Sequence, residues 1–173
     1  MVAFLSVLLF GILTGVLLAV LASLILLIRR ISYPHVALLG RIGNSEHYSD
    51  MERHADNILI DDIIILRVES SILYFNAEDA LQKINNNIEN YAGNLELVIL
   101  DLSASPFIDV EGSKMLLQLS NQLKRKGIGL KVVEALSSVR DIMRKQGMEE
   151  VIGHISRKIS IDDAVHEFET SKS

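Results

Sequence analysis

The stretch Leu100–Gly112, LDLSASPFIDVEG, gathers the side chains of this 173-residue chain best suited to chemistry. Asp101, Ser103, Ser105, Asp109 and Glu111 follow an apolar run there, and open α/β sheets commonly place ligands at such strand ends. Asp101 has the type of an acylphosphate-forming nucleophile, with Asp109 as a metal partner. That chemistry wants a second carboxylate beside the nucleophile and a lysine to neutralise phosphate, and Asp101-Leu102-Ser103 supplies only a hydroxyl. Ser103 and Ser105 have no histidine near them in sequence to act as base, and they fit turn residues that bond their own backbone. Asp109 stands where a helix begins, so its carboxylate is expected to cap free backbone N–H groups. No enzymatic activity and no cofactor are expected.

Other chemistries lack their residues. The chain has no cysteine, which removes disulfides, thiolate metal sites and thiol nucleophiles together. Its histidines, His35, His47, His54, His154 and His166, form no H-x-x-x-H pair. His47, Asp50 and His54 are close enough in sequence to meet at a zinc ion, but they match no zinc spacing and are read as surface side chains. Phosphate-loop, dinucleotide and nucleophile-elbow motifs are absent.

The elements that position the loop follow from periodicity. Val36–Ile42 is extended and apolar, Gly43–Asn57 is a polar loop, and Ile63–Val68 is β-branched enough for a central strand. SILYF is a further short extended piece. Asn76 is placed to cap a helix whose Ala77, Ala80, Leu81, Ile84 and Ile88 share one face. LELVILDL and IGLKVV are buried strands on either side of a helix from Val110 to Lys126, with Met115, Leu116, Leu119 and Leu123 inward and Gly127 ending it. Ser137 or Ser138 caps the next helix. Ser160-x-x-Asp163 reads as a capping box before Ile161, Ala164, Val165 and Phe168, and the last residues, ETSKS, are expected to fray. Strands alternating with helices imply parallel pairing in an α/β domain.

Val2–Ile28 contains no charged side chain and makes about 40 Å of helix at about 1.5 Å per residue, enough to span a bilayer core of about 30 Å. No basic segment precedes it, which argues against a signal peptide. The expected division is a transmembrane helix over 1–30 and a cytoplasmic domain over 31–173, because Arg29 and Arg30 mark the cytoplasmic end. Gly11, Gly15, Ala19 and Ser23 recur every fourth residue, a stripe along which another membrane helix packs closely. Setting the two arginines aside from the 17 basic residues leaves 15 against 22 acidic ones, so the domain repels nucleic acid.

Taken in order, the apolar helix ending in Arg-Arg, SYPHVALLGRIGNSEHYSDMERH, LRVESSILYFNAEDA and LVILDLSASPFIDVEG resemble the C-terminal end of SulP-type anion permeases, a last transmembrane helix followed by a STAS domain. The resemblance implies a small β-sheet with surrounding helices and a regulatory role in sulfate or other anion transport. It implies partners too: the transmembrane core of a permease or other membrane helices, and a cytoplasmic protein docking at Ser103, Ser105, Asp109 and Glu111. Some STAS domains have been suggested to bind nucleotides, but nothing in this sequence selects one. In the related anti-sigma-factor antagonists the acid matching Asp109 is followed by a phosphorylated serine. Here that position is Glu111, which offers a kinase no hydroxyl. A free-standing, membrane-anchored signalling protein is the alternative. One helix supplies no pathway for an ion, so transport by this chain alone is not expected.

Overall fold

The computed structural model describes residues 12–156 and 158–172 and divides into two compact units between Tyr33 and Pro34. The first is carried by helix α1 (Ile12–Ser32), about 32 Å long at 1.5 Å per residue. Its span Ile12–Arg29 has a mean hydropathy of 2.5, apolar enough to cross a membrane by composition.

The second unit holds a five-stranded sheet ordered β2-β1-β3-β4-β5. Its strands are β1 (Val36–Arg41), β2 (Tyr48–Asp50), β3 (Ile63–Val68), β4 (Leu97–Asp101) and β5 (Gly129–Val133). The helices are α2 (Ala77–Glu89), α3 (Val110–Arg125), α4 (Ser137–Lys145), α5 (Glu149–Ile152) and α6 (Ile161–Lys172). Parallel pairing holds for β3, β4 and β5, which α2 and α3 connect. The sheet is nevertheless mixed. No helix separates β1 from β2 or β3, and β1 runs antiparallel to both. Strand β2 is only Tyr-Ser-Asp and lies in what the sequence presented as a polar loop. SILYF forms no strand and contributes a single bridge, Ile72 to Ile108.

Alternation along the central strands builds two cores. Ile64, Leu66, Val98 and Leu100 face α2 and α3, meeting Leu81, Ile84, Leu116 and Leu119. Ile63, Ile65, Leu97 and Ile99 point the other way, against Ile161, Ala164 and Val165 of α6. Each buried Leu, Ile or Val among them contributes about 1.5–3 kcal/mol against the entropy of ordering it.

The helix faces follow the apolar pattern, whereas several caps do not. Asn76 makes no side-chain cap: its Oδ1 accepts from Leu73 N–H and its Nδ2 donates to the Ser71 carbonyl, so it closes the preceding turn instead. Leu136, not Ser137 or Ser138, precedes α4, and Ser138 Oγ donates to the Pro106 carbonyl. The Ser160–Asp163 box forms reciprocally, with Ser160 N–H on Asp163 Oδ2 at 2.8 Å and Asp163 N–H on Ser160 Oγ at 3.1 Å. Gly127 ends α3 at φ +75°, a left-handed position that suits glycine. The tail stays helical to Lys172, whose ammonium reaches Asp62 at 2.8 Å and Glu96 at 2.9 Å. At the domain's start, Lys83 Nζ donates to the Pro34 carbonyl at 2.9 Å and Glu69 N–H to the His35 carbonyl at 2.9 Å.

Candidate functional site

The parallel register sets Arg67, near the end of β3, beside Asp101, the last residue of β4. Both side chains emerge on the α6 face, where Arg67 Nε donates to Asp101 Oδ2 at 2.6 Å. The other carboxylate oxygen accepts the Ser103 N–H at 2.8 Å. Asp101 is fully buried with both oxygens engaged, so it serves as a charged strut that fixes the turn after β4. Sequence distance hid this partner, because 34 residues separate the two groups.

Beyond the strut the chain turns at Ser105, which is buried and donates its hydroxyl to the Val68 carbonyl at 2.9 Å. Ser103 is exposed. Asp109 caps α3 as its position predicts, with Oδ1 accepting Gly112 N–H at 2.8 Å. Its Oδ2 accepts the Tyr74 N–H, also at 2.8 Å, from the loop after β3. Asp109 N–H to the Ile72 carbonyl and Ile72 N–H to the Phe107 carbonyl complete the seam between the two loops. One carboxylate thus starts a helix and joins two strand ends. Asp109→Ala is expected to cost about 2 kcal/mol, the upper end of the usual cap range, because two donors lose their acceptor. Thermal unfolding of the full chain checks this, and a loss below about 0.5 kcal/mol would contradict the joining role.

Of the four loop residues singled out in the sequence, Ser103 and Glu111 reach solvent, Asp109 is half-buried and Ser105 is interior. Glu111 pairs with Lys114 at 2.6 Å one turn along α3. The seam also exposes side chains that sequence reasoning passed over. Tyr74 is 73% exposed, Phe107 and Val110 are each 48%, and Phe75 packs edge-on against Tyr74 with centroids 5.3 Å apart. The aromatic pair that ends SILYF was the available signal. Together these residues form an exposed apolar rim around the acidic start of α3.

On the α6 side, Arg67 and Asp101 open into a polar cleft of about 380 Å³ that also takes in Tyr48, Glu134 and Asp162. The Tyr48 hydroxyl donates to Asp162 Oδ1 at 3.0 Å and accepts from Arg41 Nη2 at 3.2 Å. Burial pushes the Tyr48 phenol above its usual range. Glu134 sits at φ +55°, and loss of hydration, reinforced by the neighbouring Asp101, raises its carboxyl.

In α1, Gly15, Ala19 and Ser23 keep their four-residue spacing, while Gly11 lies outside the described residues. His47 and His54 do not join Asp50 in a ligand cluster among the described residues; His35 and Glu52 do.

A five-stranded mixed sheet with an acid-capped helix after its central parallel strand defines a class, and a family model for the STAS domain matches residues 54–167. The chain belongs to the STAS domain family. A probable sulfate transporter of Mycobacterium tuberculosis is 24% identical over 158 residues, covering 91% of this chain and 28% of that protein. The chain aligns with the C-terminal, STAS-bearing part of its transporter relatives and spans about a quarter of the length of those it matches. Among solved structures, murine solute carrier 26 family member A9, an anion transporter, superposes with a TM-score of 0.82 at 22% identity, covering 97% of this chain and 28% of that one. A Thermotoga maritima protein described as a putative anti-sigma factor antagonist reaches 0.53 at 16% identity, covering 63% and 89%. Both superpositions establish a shared fold.

Proposed function

We propose that this chain is the regulatory C-terminal end of a sulfate or related inorganic-anion transporter. Helix α1 packs against the membrane helices of the transport core, and the STAS domain lies on the cytoplasmic side, where it regulates transport or assembly. The supporting observation is the length of the alignment: 91% of the chain follows a sulfate transporter, well beyond the stretch matched by the STAS family model. Anion choice belongs to the helices of the core, and the single helix here conducts nothing by itself. The rim of Tyr74, Phe75, Phe107 and Val110 around Asp109 and Glu111 is the docking surface of this reading, and Glu111 offers a kinase no hydroxyl there.

Purification of the full chain from its native membrane, followed by mass spectrometry, tests the proposal. A polytopic permease core is the expected companion. Recovery of kinases or sigma-factor regulators with no polytopic protein would instead make the chain an anchored signalling module. Gly15→Ile places a branched side chain in the small-residue stripe and is expected to abolish co-purification of the core. Undiminished recovery would remove the stripe from the proposed contact.

A further inference from the structure

Imidazole and carboxylate groups converge where the chain enters the sheet. His35, Asp50 and Glu52 each present one ligand atom, and the three atoms lie within 4.8 Å of one another. The fold makes this approach systematic. Asp50 pairs across the ladder with Leu39 and so shares its face of the sheet. His35, four residues earlier on the same extended segment, faces the same side, with only the methyl group of Ala37 between.

The central carboxylate is already aimed. Asp50 Oδ1 accepts the Glu52 N–H at 2.9 Å, which fixes the plane of a side chain that is only 11% exposed. Its Oδ2 faces His35 Nε2 at 3.9 Å and Arg53 Nε at 3.7 Å, both beyond hydrogen-bond distance. The second oxygen of this mostly buried side chain therefore lies between two groups and is hydrogen-bonded by neither. Bonds of about 2.0–2.2 Å to one tetrahedral ion would set adjacent ligand atoms about 3.4 Å apart. Closing the 3.9 Å His35–Asp50 separation to that value takes a shift of about half an ångström, and a pair at the 4.8 Å limit must close by about 1.4 Å. The His35 side chain, 45% exposed, has room to make it, and Arg53, 76% exposed, has room to withdraw.

We propose that His35, Asp50 and Glu52 form a divalent-metal site with a preference for zinc. An imidazole with two carboxylates suits zinc, whereas magnesium and calcium favour all-oxygen shells. Three protein ligands leave the fourth position to water. Bound metal fastens the segment that follows α1 to the turn after β2, at a point where the backbone is already held by the bonds to the Pro34 and His35 carbonyls. The site is independent of what the chain regulates.

The test is calorimetric titration of zinc into the full chain in detergent micelles after chelator treatment, with thermal unfolding recorded alongside. Expected are one zinc per chain, a higher Tm with zinc and no such rise with magnesium. His35→Ala and Glu52→Gln are expected to weaken binding about 10-fold or more. His54→Ala, outside the cluster, is expected to bind as the parent does. Both cluster variants alter exposed side chains, and circular dichroism without metal verifies that they fold. Absence of zinc binding, or parental affinity in His35→Ala, would overturn the proposal.

Discussion

Gly112→Ala is expected to destabilise the STAS domain by about 1–3 kcal/mol, the usual penalty for overpacking. The sign is the informative part, since alanine in place of a helical glycine ordinarily stabilises by about 0.5–1 kcal/mol. Gly112 lies in the first turn of α3, directly beneath the seam between the two loops. A β-carbon there would stand 2.4 Å from the Ile72 carbonyl oxygen and 2.8 Å from Ile108 Cγ1. The carbonyl has little freedom to retreat, because it accepts the Asp109 N–H at 3.2 Å while Ile72 N–H is bonded to Phe107. Relief must therefore come from opening the seam or displacing the helix start. Gly112→Val is expected to lose more, with Tm falling by roughly 10 °C. Thermal unfolding of both variants checks the prediction, and a rise in Tm for the alanine variant would show that the loops do not press on Gly112.

The second large effect is expected at Arg67. Arg67→Met should cost about 3–5 kcal/mol, because it leaves a buried carboxylate without its countercharge. Asp101 has no exposure, and after the change only the Ser103 N–H remains to it. The double variant Arg67→Met, Asp101→Leu removes both charges and is expected to recover most of that loss. Chemical unfolding of the two variants side by side distinguishes the cases. Equal losses would mean that packing of the arginine stem, rather than the pairing of charges, supports the site.

What the sequence made legible was whatever repeats along one element. The faces of α2, α3 and α6 could be read because apolar residues recur at helical spacing, and Asp109 because an acid directly preceded such a pattern. What it concealed depends on partners brought from elsewhere. The Arg67–Asp101 pair exists through strand register alone. Asn76 and Ser138 have the chemistry of caps, but nearby carbonyls hold their side chains in other bonds. Strand β2, three residues long, is too short to show alternation. The same holds for the exposed rim: Phe107 and Tyr74 become neighbours of one another's loops only after Ile72 bridges to Ile108. The three groups at His35, Asp50 and Glu52 were equally invisible, since the antiparallel β1–β2 ladder creates their proximity.

The way β1 begins also has a mechanical meaning. The strand that follows the apolar helix does not lie at the rim of the sheet but between β2 and β3, with Val36 to Leu39 paired antiparallel to Val68 to Ile65. Bonds in such a ladder run perpendicular to the strands. Tension applied at Pro34 along the strand therefore loads them together in shear, instead of peeling them one at a time. A tether of that kind would carry load into the middle of the sheet, and so toward the end of β4 that bears Asp101.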